Sequence, residues 1–106
     1  MATILTQQEK INILKDLVAI QSVNDNEIEV CHYLKDLFAK YEIEAAIQSI
    51  TETRANLIAE IGSGKPVIAV SGHMDVVSEG DAALWSSPPF ELTERNGKLY
   101  GRGLQI

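Results

Sequence analysis

Four consecutive apolar residues, Val67-Ile68-Ala69-Val70, follow a proline and run into Ser71-Gly72-His73-Met74-Asp75-Val76-Val77. An apolar run without polar alternation is what a strand buried on both faces requires, and such strands sit in sheets covered by helices. The small pair Ser71-Gly72 then delivers a histidine and an aspartate where that strand should end. Open α/β sheets place their chemistry at the carboxyl ends of strands. The run therefore predicts an α/β chain with a buried central strand and its candidate site at His73 and Asp75.

The preceding segments supply helices to cover such a strand. Thr6 and Glu9 have capping-box spacing, and Ile11, Leu14, Leu17, Val18 and Gln21 follow the helical rhythm, so a helix is expected over 6–21. Ser22-Val23 breaks it. Asn24 and Glu27 repeat the capping spacing before a second apolar stripe of Ile28, Cys31, Leu34, Leu37, Phe38 and Tyr41. From Ile43 to Ile50 the pattern alternates roughly by two, as in an edge strand, and Asn56–Ile61 reads as a better-buried strand. Gly62-Ser63-Gly64-Lys65-Pro66 is a turn. It lacks both the four-residue spacing between glycines and the Ser or Thr after lysine that a phosphate-binding loop needs. Near the end, Phe90–Glu94 and Lys98–Tyr100 flank Arg95-Asn96-Gly97, and an Asn-Gly pair between two short runs signals a hairpin.

Several function classes are disfavoured by bulk properties. Fifteen acidic against nine basic residues give a formal charge of −6, which is unsuited to sequence-independent binding of nucleic acid phosphates. The single cysteine, Cys31, allows no internal disulfide, and a reducing, cytoplasmic setting is expected. Polar and charged residues from Gln7 to Asp16 interrupt the N-terminal region, so no signal peptide is expected. No apolar stretch approaches the roughly 20 residues that span a bilayer. Cys31 and His32, as helix neighbours, point about 100° apart. Cys31 is expected in the core and His32 in solvent.

The pair His73-x-Asp75 has a plain mechanical logic. Residues i and i+2 of an extended segment project to the same side. One imidazole nitrogen can face a metal while the other N–H is held by the carboxylate, which fixes the tautomer and raises ligand basicity. Its surroundings sharpen this reading. Ser71-Gly72-His73-Met74-Asp75-Val76-Val77, then Trp85 through Pro89-Phe90, then Gly97-Lys98-Leu99-Tyr100-Gly101-Arg102-Gly103 together resemble one family. It is the di-zinc peptidase and deacylase family of succinyl-diaminopimelate desuccinylase, acetylornithine deacetylase, aminoacylase and carboxypeptidase G. The desuccinylase/deacetylase branch is nearest.

The resemblance implies that His73 ligates zinc and that Asp75 is the catalytic-site carboxylate orienting it. It implies two zinc ions in the full-length family, with cobalt as an alternative metal, and a metal-bridging water whose pKa falls to roughly 7. The implied substrate is a small N-acyl amino acid or a peptide, attacked at its amide, in amino-acid biosynthesis. The implied architecture is the N-terminal part of a catalytic domain: two helices, a mixed sheet with a buried central strand, and a C-terminal hairpin. Residues 1–106 would then be a single partial domain, without the lid domain and the rest of the catalytic domain.

After Gly103 the family pattern continues with a small residue, Ser or Thr, and a metal-bridging aspartate. Here Leu104, Gln105 and Ile106 stand instead, and an isoleucine has no atom that coordinates zinc. A one-base deletion accounts for this ending: GGN GCT TCA GAT ATG A becomes GGN CTT CAG ATA TGA, Gly-Leu-Gln-Ile-stop. A frameshifted, truncated family member is therefore expected. An absence of any Asp-Met-Lys-like continuation in the shifted frame of the coding DNA would count against it. With a single ligand, weak metal binding at most and no hydrolysis are expected, leaving a folded remnant or interaction module as the alternative function. An open sheet edge is expected to drive self-association. Trp85 is expected to pack under its loop, Arg102 to brace the loop, and Glu79 and Asp81 to be solvated.

Overall fold

The computed structural model describes residues 4–23 and 25–104. Helix α1 spans Gln7–Ala19 and starts as the sequence predicts. The Glu9 N–H donates to Thr6 Oγ1 at 3.1 Å, and the Thr6 N–H donates to Glu9 Oε1 at 2.9 Å. These two bonds satisfy donors that the first helical turn leaves free. Val18 of the expected stripe is buried, while Ile11, Leu14 and Leu17 are only half-buried.

Helix α2, Ile28–Lys40, differs from expectation at its start. The expected capping partner Asn24 lies outside the described residues. Glu27 is itself the cap position, in helical conformation and with no side-chain capping bond. The hairpin formed by β1, Ala45–Ser49, and β2, Ala55–Ala59, supplies an acceptor instead, and the Ile28 N–H donates to Thr53 O at 3.1 Å. Glu27 is thus free to turn inward, where its carboxylate meets Arg54.

The two strands pair antiparallel with Ala45 opposite Ala59 and Ser49 opposite Ala55. Inward positions alternate with exposed ones along β1, as the sequence predicts for an edge strand. In β2 Ala55 is buried and Leu57 half-buried, whereas Ile58 and, beyond the strand, Ile61 are exposed. The better-buried strand expected at 56–61 is therefore buried only on the side that meets α2. Among the described residues the dry core is small: Val18, Val30, Cys31 and Ala55 are its buried apolar residues.

The C-terminal hairpin forms where Asn-Gly predicts it. Strands β3, Thr93–Arg95, and β4, Lys98–Tyr100, pair antiparallel around Asn96 and Gly97, both at positive φ (54° and 75°). Two successive positive φ values define the tight turn whose twist suits a two-stranded hairpin.

One expectation is corrected. Among the described residues, Val67–Val70 forms no strand, and the sheets are two separate antiparallel pairs rather than one mixed sheet. Val67, Ile68 and Val70 are 81%, 85% and 94% exposed. A strand buried on both faces needs neighbours on both edges and cover above and below. The described residues bring none of these to this segment, so the local apolar signal has nothing to act on.

Candidate metal-ligand corner

The segment that carries His73 and Asp75 is fixed at its far end. Val76 forms an isolated parallel bridge with Val23, and its N–H donates to Ser22 O at 2.8 Å. Ser22 is buried, so this bond lies in the joint between α1 and α2. Met74 points to the other side, its Sδ 3.8 Å from the Cys31 thiol, which also lies 3.7 Å from Ala55 O. Burial, with Glu27 nearby, pushes the Cys31 thiol above its ordinary range. A neutral, enclosed thiol is a core residue and not a nucleophile, as expected. His32 is exposed, also as expected.

His73 and Asp75 come together as their spacing implies. The His73 Nδ1 faces two acceptors, the Asp75 carbonyl oxygen at 2.9 Å and Asp75 Oδ1 at 3.2 Å. A carbonyl can only accept, so Nδ1 carries the proton and donates to both oxygens. In the neutral ring the lone pair is then on Nε2. The His73 side chain is 56% exposed, which leaves that nitrogen accessible.

The glycines around Arg102 explain how the C-terminal hairpin is held over this corner. A Cβ on Gly101 would lie 2.8 Å from Val18 Cγ1, and one on Gly103 would lie 2.8 Å from Val76 Cγ1. Gly103 also has φ +92°, which L-residues rarely adopt. Between them Arg102 braces the loop as expected, donating from Nε to Val77 O at 3.1 Å and from Nη2 to Ser78 O at 2.9 Å. Its guanidinium also lies over Trp85, 5.8 Å from the ring centroid. Trp85 is half-buried and donates its indole N–H to Glu79 O at 3.0 Å, so it packs into its loop. Asp81 is exposed but caps the short 3-10 turn Ala82–Leu84, accepting from the Ala83 N–H at 3.0 Å.

A cleft of about 680 Å³ opens beside the corner. Leu14, Leu17 and Val18 of α1 and Val30 and Leu34 of α2 form its apolar wall, and residues 73–77 and 102–104 form the other. The helix stripes read from sequence thus face open space rather than a finished core.

Sequence reasoning missed the cluster at the base of α2. Arg54 contacts Glu27 Oε2 at 3.1 Å and Asp25 Oδ1 at 3.3 Å. Glu27 is buried, with Oε1 unpartnered among the described residues. Arg54 and Glu27 are 27 positions apart, so no local pattern announces their contact. The only signal in the sequence is an arginine among turn residues.

The donor set fits one ligand and not a whole zinc site. A catalytic zinc takes three protein ligands, and no group of three or more candidate side chains converges among the described residues.

Residues 69–106 match the model of a family described as Peptidase family M20/M25/M40. The chain is 59% identical over 101 residues to a probable succinyl-diaminopimelate desuccinylase of Staphylococcus epidermidis, covering 95% of this chain and 25% of that protein. A probable succinyl-diaminopimelate desuccinylase of Staphylococcus aureus is 56% identical with the same coverage. A succinyl-diaminopimelate desuccinylase of Rickettsia canadensis is 42% identical over 99 residues, covering 89% of this chain and 26% of that protein. The chain spans about a quarter of the length of the curated relatives it matches. The resemblance read from the motifs therefore holds over nearly the whole chain, and it holds for the desuccinylase branch. No helix of the described residues is long and apolar enough to cross a membrane.

Proposed function

We propose that this chain is one piece of a zinc-dependent amide hydrolase acting on N-succinyl or other N-acyl amino acids, and that it contributes His73 as a metal ligand. Asp75 is the positioning residue that holds the His73 ring. The observation that carries this reading is the Nδ1 geometry: two acceptors fix the proton there and leave Nε2 free, the arrangement that an orienting carboxylate produces in zinc sites. The desuccinylase names of the relatives supply the substrate class.

On its own the chain is inactive in this reading, because His73 is one donor where a catalytic zinc takes three. Zinc or cobalt binds weakly at most. The expected test is calorimetric titration of the chain with zinc, paired with an assay on N-succinyl and N-acetyl amino acids. Weak, single-site binding that disappears in His73→Ala, with no hydrolysis, supports the reading. Zinc binding unaffected by His73→Ala, or turnover by the isolated chain, overturns it. The second reading, a folded module with no metal role, is favoured by the absence of a three-ligand cluster among the described residues and predicts no zinc heat at all.

A further inference from the structure

The turn that closes the C-terminal hairpin pairs a side-chain amide with an unshielded backbone nitrogen. Asn96 and Gly97 are both exposed, and a Cβ built on Gly97 would meet nothing within 4 Å. Among the described residues, no hydrogen-bond partner is found for the Gly97 N–H. Glycine has no side chain to hinder approach to its own nitrogen. Asn12, Asn24, Asn26 and Asn56 are instead followed by Ile13, Asp25, Glu27 and Leu57, whose side chains obstruct that approach. Asn12 and Asn56 are also held within α1 and β2.

We propose that Asn96-Gly97 is a modification site, where the chain forms a succinimide spontaneously and water opens it to aspartate or isoaspartate. The Gly97 backbone nitrogen attacks Cγ of Asn96, and the new C–N bond closes a five-membered ring. The Gly97 nitrogen gives up its proton. The bond from Cγ to the side-chain nitrogen breaks, and that nitrogen leaves as ammonia. Water then opens the ring at either of its two carbonyls. Addition at Cγ yields aspartate. Addition at the main-chain carbonyl carbon yields isoaspartate, with the backbone rerouted through Cβ and Cγ. Either product adds one negative charge to the formal −6 of the chain. The proposal rests on neither the family nor the metal reading.

The folded hairpin holds this reaction back. A two-residue turn with both φ positive sets ψ of its first residue at about +30°. Ring closure instead needs the Gly97 nitrogen swung onto the Asn96 side chain, so the turn must open first. The rate is then set by how often the hairpin opens locally. It has three residue pairs, and a short two-stranded hairpin is marginal by itself. Arg95, next to the turn, is its clamp. Its Nη2 donates to Ser86 O at 3.1 Å, and its guanidinium lies 5.7 Å from the Tyr100 ring centroid. The consequence reaches the corner. The extra backbone methylene of isoaspartate breaks the Arg95–Lys98 pairing. That loosens the strand leading into Arg102, whose N–H donates to Pro89 O at 2.7 Å and whose side chain holds Val77 and Ser78 beside His73.

The test ages the full chain in mildly alkaline buffer and reads its digests by mass spectrometry, with fragmentation that separates aspartate from isoaspartate. The expected result is a gain of one mass unit at Asn96 ahead of the other asparagines, slower than in the chain unfolded by guanidinium. Arg95→Ala should speed the gain by about 10-fold, the worth of one net hydrogen bond with an exposed cation–π contact. Arg95 is exposed and lies outside both helices, so helical circular dichroism should be unchanged in that variant. Asn96→Gly removes the side-chain amide while a Gly-Gly pair still suits the turn. On aging, the parent chain should lose amide-exchange protection over Thr93–Tyr100, and Asn96→Gly should keep it. No gain at Asn96 in the folded chain, or a gain spread evenly over all asparagines, overturns the proposal. So does a rate indifferent to Arg95→Ala, or protection that ages alike in the parent and Asn96→Gly.

Discussion

Arg54 donates from Nε to Oε2 of Glu27 across 3.1 Å, tying the turn of the β1–β2 hairpin to the first residue before α2. The Glu27 side chain is only 9% exposed while that of Arg54 is 45% exposed. The contact is therefore lopsided: the cation keeps much of its water and the carboxylate does not. Nearby Asp25 reinforces the charge, and together these partners push the Arg54 guanidinium above its ordinary value, with the Glu27 hydrogen bond as the leading cause.

Removing the arginine strands a buried carboxylate. Arg54→Met should destabilise the chain, by less than breaking a fully buried pair would, because Arg54 is half-exposed. The double variant Arg54→Met with Glu27→Gln should recover part of that loss, since no charge is then left unpaired. Urea denaturation of the four members of this cycle measures it, and a double variant no better than the single would refute the account.

Thr6→Ala removes the acceptor for the Glu9 N–H and should destabilise the chain by about 1 kcal/mol. The same box depresses the Glu9 carboxyl below its ordinary value, chiefly through the backbone N–H of Thr6. A depressed carboxylate contributes stability that is present above its unfolded pKa and lost as pH falls through the folded one. Acid titration of helical signal should thus reveal a contribution below the ordinary carboxylate value of 4.5, and Glu9→Gln should erase it.

At the alkaline end, Tyr33 donates its hydroxyl to Asp16 Oδ2 at 2.8 Å across the two helices. Burial, then this bond and the charge of Asp16, push the phenol up to about 12 from 10.0. The neutral phenol is the form the fold prefers, so its contribution is full below the unfolded pKa and is lost as pH rises from 10.0 to about 12. Tyr33→Phe should lower stability at neutral pH but flatten its decline across that window. A parallel decline in both proteins would show that another group is responsible.

What is legible in the sequence follows the range of the interaction. The Thr6–Glu9 box and the Asn96-Gly97 turn act within a few residues, and both appear where the pattern puts them. The stripes of α1 and α2 are legible as stripes, but not the open cleft they line. Glu27 departs from its capping pattern because that local pattern competes with a partner in a distant hairpin, and the distant partner wins. The run Val67–Val70 departs from expectation for the converse reason: its signal is an instruction about neighbours, and none of the described residues supplies them. Of the candidate site, the His73–Asp75 contact is legible from i, i+2 spacing alone.

The tautomer of His73 is open to direct observation. Two-bond proton–nitrogen correlation spectra of the neutral ring should show the proton on Nδ1, because both Asp75 oxygens face that atom. Asp75→Ala removes the carboxylate at 3.2 Å but retains the backbone carbonyl at 2.9 Å, so the tautomer should survive while the ring loses its fixed orientation. A dominant Nε2–H form in the parent chain would remove the basis for a ligand at Nε2.

The packing of Gly101 and Gly103 gives a test of how the hairpin is seated over the corner. Gly101→Ala places a methyl 2.8 Å from Val18 Cγ1, and Val18 is both buried and stiff at χ1, so it can yield only by moving α1 or β4. The cost should be about 1–3 kcal/mol, that of overpacking. Gly103→Ala meets Val76 Cγ1 at the same distance and adds the penalty of φ +92°, about 1–2 kcal/mol for an L-residue with positive φ. Trimming the opposing side chain separates the two effects. Val18→Ala should rescue most of the Gly101→Ala loss, because only crowding is at issue there. Val76→Ala should rescue only part of the Gly103→Ala loss, because the backbone strain remains. Chemical denaturation of these pairs measures the difference, and full rescue at both positions would mean that the positive φ of Gly103 carries no cost.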